Sequence, residues 1–229
     1  MKYLLFLFFI LNHCFTVGFH NNELRNKIDF GDFQKLKVCV MYEKTINRNE
    51  VLELEKYWNE ELQLYKINLE FSKIKPIERK GFWITDIINE LYKYKLSTDC
   101  DRILYLVGRE WSDIAFEIFT LGLMFGIGVK AEIQGAVEGD SNTRGYIKAK
   151  YISTLQLLFT SPKSTLVHEG YHLLGCDHAL FKDDCYKKIQ SIKKNNSKRD
   201  FFGIERIEDN YSFDKIEFLN KSLGSTEDF

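Results

Sequence analysis

The order of apolar segments between residues 36 and 107 most constrains the fold of this chain. Two of these segments, LKVCVMY and ILYLV, are almost continuously apolar, which is typical of strands covered on both faces of a sheet. The segment after the first one carries apolar side chains at helical spacing among Glu and Lys. The predicted order is strand, helix, strand, helix and strand, over residues 36–42, 49–65, 67–74, 84–94 and 103–107. This alternation predicts a parallel sheet joined by crossover helices.

The second half of the chain shows a different pattern. Residues 119–139 are rich in glycine and small apolar residues, which fits an edge strand with loops on either side. Residues 146–152 alternate apolar and basic side chains and predict a further strand. The chain has no internal repeat and no Pro- or Gly-rich linker, and its 229 residues suffice for one sizeable domain but are few for two.

The N-terminus has the layout of a secretory signal peptide. One lysine precedes an apolar run from Tyr3 to Leu11, and short residues follow that run. We therefore expect a signal peptide over residues 1–18 and a secreted, extracellular chain over residues 19–229. The apolar run is short for a membrane span, and a buried N-terminal helix is the alternative interpretation.

Four cysteines remain after this segment, and an even number in a secreted chain predicts two disulfides. Three different pairings of four cysteines can form. We favour Cys176 with Cys185, which are close in sequence and flank a histidine, and this leaves Cys39 with Cys100. Three Asn-x-Ser sequons are candidate glycan sites in a eukaryotic secretory pathway, at Asn195, Asn210 and Asn220.

The stretch HEGYHLLGCDH contains three of the five histidines of the chain. A helix is predicted to carry its first part, because Ser161 can cap a helix, Pro162 suits the first helical position and Gly175 suits a left-handed stop. On that helix His168 and His172 are four residues apart, so their imidazoles project from one face. A core helix with satisfied histidines is the alternative interpretation.

The spacing of these residues predicts a catalytic metal site. Two histidines one helical turn apart can bind one zinc ion, and the turn at Gly175 brings His178 back as a third ligand. Glu169 is rotated away from the ligand face, so it is placed to act as a general base on a water rather than as a ligand. Three neutral ligands leave a coordination position open for that water, whereas structural zinc sites are usually closed by four ligands.

HEGYHLLGCDH matches the HExxHxxGxxH zinc signature, and the chain thereby resembles the metzincin endopeptidases. The runs LGCDH and GLMFGIGV look most like the reprolysin (adamalysin) group, especially the secreted salivary and venom metalloproteases of arthropods. The resemblance covers residues 36–225. It implies an α+β, zincin-like fold: a mostly parallel twisted sheet with an antiparallel edge strand, crossover helices, an active-site helix and a small C-terminal subdomain.

The same resemblance implies the chemistry of a metalloprotease domain over residues 19–229. A single catalytic Zn²⁺ would be bound by His168, His172 and His178. Glu169 would be the general base of a secreted zinc endopeptidase that hydrolyses peptide bonds with a zinc-activated water. The segment from Gly122 to Val129 would align the substrate backbone as an added strand. The substrate-binding residues within it would be Gly122, Leu123, Met124 and Phe125.

The composition and the resemblance also set the expected partners. The formal net charge is −1, which argues against binding nucleic acid by bulk charge. No later stretch is long and apolar enough to predict a membrane span. We expect a protein or peptide substrate, neither nucleic acid nor a membrane as a partner, and a monomeric chain.

The sequence departs from the family pattern beside and below the signature. Metzincins have a methionine turn after the third histidine, but the methionines here are Met1, Met41 and Met124. Residues 199–207 are the matching stretch, where Phe, Gly or Ile would stand in, and Ala179 replaces the Asp that reprolysins usually have. These departures keep a second hypothesis open, a protease-derived secreted zinc-binding protein with little or no turnover. A secreted domain without metal is the remaining alternative.

Overall fold

The computed structural model of the chain describes residues 17–79, 81, 83–115, 134–150, 161–196, 202–206, 211–212 and 216–229. Within these residues the strands are β1 (Gln34–Glu43), β2 (Ile67–Ile77), β3 (Arg102–Val107), β4 (Gly135–Val137), β5 (Arg144–Lys148), β6 (Glu205–Arg206) and β7 (Tyr211–Ser212). The helices are α1 (Asn22–Lys27), α2 (Arg48–Leu62), α3 (Ile84–Tyr92), α4 (Pro162–Leu173), α5 (Asp183–Asn196) and α6 (Ile216–Ser222), with a 3₁₀ turn at Gln63–Tyr65. The helices and strands predicted up to residue 107 are present, with bounds that differ by a few residues.

The main sheet has the strand order β2-β1-β3-β5-β4 within the described residues. Strands β2, β1, β3 and β5 run parallel to their neighbours, and β4 pairs antiparallel with β5. Helix α2 connects β1 to β2, and α3 connects β2 to β3, as the alternation predicts. The protein is therefore α+β, with a mostly parallel sheet that has an antiparallel pair at its edge. Strands β6 and β7 pair separately from this sheet.

Burial explains why these segments form these elements. Every residue of β3 is buried, and α2 buries a stripe of apolar side chains that joins the same core as β1 and β2. The helix begins at a capping box, in which Glu50 N donates to the Asn47 side chain at 2.9 Å and Asn47 N donates to the Glu50 carboxylate at 2.8 Å. The sequence pattern thus indicates both the type and the buried face of α2.

Two strands differ from their sequence-based prediction. Strand β5 begins at residue 144 and ends at residue 148, and its first four residues are all buried instead of alternating. It lies between β3 and β4, and both α3 and α4 contact it, so neither face is left to solvent. Strand β4 lies inside the stretch 119–139 that predicts an edge strand. The proposed substrate-binding residues lie outside the described residues; these are Gly122, Leu123, Met124 and Phe125.

Both predicted disulfides are present. Cys39 in β1 is bonded to Cys100, which lies two residues before β3. Cys176 follows α4 and is bonded to Cys185 in the first turn of α5. One disulfide therefore links two neighbouring strands near one end of the sheet, and the other closes the loop that carries the third histidine of the signature.

The structure describes only some of the residues in the predicted signal peptide and in the three predicted glycan sites. Residues 1–16 and Asn210 lie outside them, whereas Val17 is buried in the core. Asn220 accepts a hydrogen bond from Leu96 N at 2.8 Å and donates one to Leu96 O at 2.7 Å, so its amide already has a structural role. Asn195 is exposed on α5. Among the helices that are described, none has the length and apolar character that crossing a membrane requires.

Candidate metal centre

The helix that carries the first two histidines begins and ends as the sequence predicts. Ser161 is the N-cap, and its side chain accepts from Ser164 N at 3.1 Å. The helix ends at Leu173, and Gly175 adopts φ +79°. Gly175 N donates to His172 O at 2.8 Å, and Cys176 N donates to Tyr171 O at 3.0 Å. These two bonds form a Schellman motif, which turns the chain back across the end of α4.

The turn brings the three histidines of the signature together. Ligand nitrogens of His168, His172 and His178 all lie within 4.8 Å of one another, and the Nε2 atoms of His168 and His172 are 3.2 Å apart. Nitrogens bound to one tetrahedral zinc at about 2.05 Å would be about 3.3 Å apart. The three nitrogens could therefore hold one metal ion, and the separation between two of them is close to that expected for tetrahedral zinc. His168 and His172 are half-buried and His178 is exposed, so the group opens to solvent.

The surroundings of the two helical histidines favour neutral imidazoles. Burial lowers the pKa of His168 to about 4, and the nearby His172 and His178 contribute to this shift. Burial also lowers the pKa of His172. The Nδ1 of His172 lies 2.6 Å from the carbonyl oxygen of Cys176. Because a carbonyl can only accept, Nδ1 carries the proton and Nε2 presents its lone pair to a metal.

Glu169 lies beside the histidines in a nearly closed environment. It is 6% exposed, and burial raises its pKa to about 7. No hydrogen-bond donor or cation among the described residues holds its carboxylate. A Cβ added at Gly135 in β4 would lie 2.7 Å from Glu169 Cγ, so the edge-strand backbone passes directly against this side chain. Sequence reasoning missed Gly135, because nothing local relates it to a residue 34 positions later.

A buried arginine connects the end of α4 to the stretch that replaces the methionine turn. The guanidinium of Arg102 donates to Leu173 O at 2.7 Å, to Phe202 O at 3.0 Å and to Gly203 O at 2.8 Å. Burial lowers its pKa to about 10, which leaves it charged at neutral pH. Phe202 belongs to the same buried cluster as Leu173 and Cys176. Sequence reasoning missed Arg102; its one signal was an arginine at the start of an apolar strand.

Tyr171, inside the signature, belongs to a polar cluster away from the ligands. Its hydroxyl donates to Glu61 and lies 2.7 Å from the hydroxyl of Tyr65. The ammonium of Lys182 lies 3.9 Å from the centre of its ring, and His20 Nε2 lies 3.1 Å from the Glu61 carboxylate. These contacts give Tyr171 a packing role and hold α4 against α2.

Neither protein-family models nor curated proteins match the chain. A functional assignment therefore rests on the signature and on the geometry of its residues. The structure brings together His168, His172 and His178 and puts Glu169 beside them. The proposed substrate-binding residues 122–125 remain a prediction, because they lie outside the described residues.

Proposed function

We propose that this protein is a secreted zinc-dependent endopeptidase of the metzincin clan, similar to the reprolysin group. The observation that carries the proposal is the convergence of three histidine nitrogens beside a buried glutamate, at a place open to solvent. Three imidazoles are a common donor set for a zinc ion that keeps a position open for water. Two disulfides support an oxidising compartment such as the extracellular space.

The chemistry of the site follows from its electrostatics. Zn²⁺ bound by His168, His172 and His178 would act as a Lewis acid that polarises a carbonyl and lowers the pKa of water. Glu169 accepts a proton from the attacking water and returns it to the leaving amine. Burial raises the pKa of Glu169 in the metal-free chain, which makes its carboxylate a stronger base than that of an exposed glutamate.

The sheet edge beside Glu169 offers a way to position a peptide. Strand β4 lies at one edge of the described sheet, and Gly135 lets its backbone approach the Glu169 side chain closely. An extended substrate that adds to this side of the sheet would hold its own backbone by main-chain hydrogen bonds. Its scissile bond would then lie next to the general base, which is the placement that hydrolysis requires.

A second candidate function is a secreted zinc-binding protein with little turnover. It is favoured by Ala179 after the third histidine and by the absence of a methionine in the chain after His178. The buried Phe202 and Ile204 supply apolar side chains in the stretch that matches the methionine turn. This stretch therefore keeps buried apolar side chains where the family has its methionine, which supports the enzyme over the second candidate.

The test is metal analysis together with a casein or gelatin cleavage assay. We compare the wild type with Glu169→Ala and with Glu60→Gln, a control at an exposed carboxylate on α2. We expect zinc in all three proteins and cleavage by all except Glu169→Ala, because only that variant lacks the general base. Zinc without cleavage in the wild type would support the second candidate. A wild type that binds no zinc would contradict both.

A further inference from the structure

We propose that Cys176 is the positioning residue of the metal centre, and that its disulfide to Cys185 sets the affinity for the metal. This inference rests on the proposed zinc site. One residue would act on two of the three ligands: its carbonyl orients His172, and its chain carries His178 two residues later. A disulfide in this protein would then serve metal binding more than it serves folding.

The first action of Cys176 is on the ring of His172. The hydrogen bond from Nδ1 to the Cys176 carbonyl is 2.6 Å long and holds the imidazole plane as well as its tautomer. The carbonyl lies in the turn after α4, where Cys176 N is bonded to Tyr171 O. A shift of this turn would therefore rotate the ring and misdirect Nε2, although His172 itself sits on a well-formed helix.

The second action is on the segment that carries His178. Residues 177–180 are all exposed, and beyond His178 the stretch is held by the N-terminal segment, where Phe19 N donates to Leu180 O at 2.9 Å. By contrast, Cys176 and Cys185 are 2% and 5% exposed and belong to the main core cluster. The disulfide closes a short loop, with a sequence separation of 9, around this exposed segment. It thus fixes the third ligand to the core from a point two residues away.

Helix α5 also holds this turn through the charged side chain of Lys188. Lys188 Nζ lies 2.6 Å from the Asp177 carboxylate and donates to Gly175 O at 3.2 Å. Lys188 is three residues after Cys185 on α5, so the helix contacts the turn on both sides of Cys176. Its neighbour Lys187 pairs instead with Asp184 within α5, at 2.9 Å. The chain therefore offers a matched pair of lysines for a test.

The decisive experiment compares the two disulfides. Zinc affinity is measured by chelator competition, and the visible spectrum of the Co²⁺-substituted protein reports the coordination geometry. In the double variant Cys176→Ser/Cys185→Ser we expect zinc affinity to fall roughly 10- to 100-fold, with an altered cobalt spectrum. In the control Cys39→Ser/Cys100→Ser we expect unchanged affinity and an unchanged spectrum. Wild-type affinity in the first variant, or equal losses in both, would overturn the proposal.

The lysine pair decides the question if a cysteine variant does not fold. Lys188→Met should weaken zinc binding about two- to fivefold, the range of a surface ion pair, because it loosens the turn without breaking the disulfide. Lys187→Met should leave zinc binding unchanged, and equal effects would overturn the proposal. A wild type that binds no zinc would contradict both this inference and the proposed function. A wild type that binds zinc but cleaves no peptide would contradict the endopeptidase alone.

Discussion

The two disulfides join different kinds of structure. Cys39–Cys100 connects β1 to a residue two positions before β3, and these two strands are already paired in the parallel sheet. Cys176–Cys185 closes a loop whose residues 177–180 are exposed and include the third histidine. The first disulfide repeats a connection that packing and backbone hydrogen bonds also make. The second anchors one end of an exposed segment, whose other end is held by the hydrogen bond from Phe19 N to Leu180 O at 2.9 Å. The sheet region is therefore expected to set stability, and the loop region to set metal binding.

The largest effect is expected from Arg102→Met, which removes the group that joins the two regions. Four carbonyl groups would lose a donor at once: two in the 202–203 stretch, one at the end of α4 and that of Asp101. Each buried acceptor left without a donor costs about 1–3 kcal/mol. Urea unfolding of the metal-free protein measures the loss, with the exposed Arg48→Met as the control. Equal stability of both variants would mean that the two regions are joined by other contacts.

The second prediction compares the free energies of unfolding of the two double-cysteine variants. The sequence separations of the two disulfides are 61 and 9. In the chain-entropy treatment, loss of the wider loop costs about 4 kcal/mol and loss of the shorter one about 2.5 kcal/mol. The Cys39→Ser/Cys100→Ser variant should thus lose more unfolding free energy, whereas Cys176→Ser/Cys185→Ser should lose more zinc affinity. The same order in both measurements would remove the distinction between the two regions.

A third prediction concerns the pH dependence of the metal-free protein. The folded pKa of Glu169 is about 7, above its ordinary value of 4.5. Unfolding therefore releases a proton between these values, and the contribution of Glu169 to stability is complete below pH 4.5 and is lost as pH rises through 7. The full difference is about 3 kcal/mol. His168 acts in the opposite direction, because its folded pKa of about 4 makes stability fall as pH drops below 6.5.

The variant Glu169→Gln separates these two contributions. It keeps the shape of the side chain but cannot ionise, so only the histidine contribution remains. We expect its stability relative to the wild type to increase between pH 4.5 and 7, as measured by denaturant unfolding at several pH values. Parallel curves for the two proteins would show that burial does not raise the pKa of Glu169.

The smallest effect is expected from Gly135→Ala, which changes the sheet edge but not the ligands. The added Cβ would lie 2.7 Å from Glu169 Cγ, so the carboxylate must move. A displacement of this kind costs up to about 100-fold in kcat/KM, whereas zinc affinity should not change. Gly139→Ala is the matched control, because an added Cβ there has no described atom within 4 Å. Equal activity of the two variants would contradict a role for β4 beside the general base.

Much of the fold and of the candidate site could be predicted from local patterns. The i, i+4 spacing of His168 and His172, the N-cap Ser161 and the stop at Gly175 each act within a few residues. The disulfide pairing was also predicted correctly, because one pair is close in sequence. The buried strand β5 was described less well, since neighbours on both faces override its alternating pattern.

The sequence by itself determined which residues form the candidate site: three histidines, one glutamate and the turn that lets them meet. Only the tertiary structure decided the environment that tunes this set. It brought Gly135 against Glu169, Arg102 against the end of α4 and the Cys176 carbonyl against His172, and it closed a disulfide loop around His178. The reason is physical. Local patterns follow from backbone geometry over one or two turns, whereas burial and pKa depend on side chains that are distant in sequence and meet only when the chain has folded.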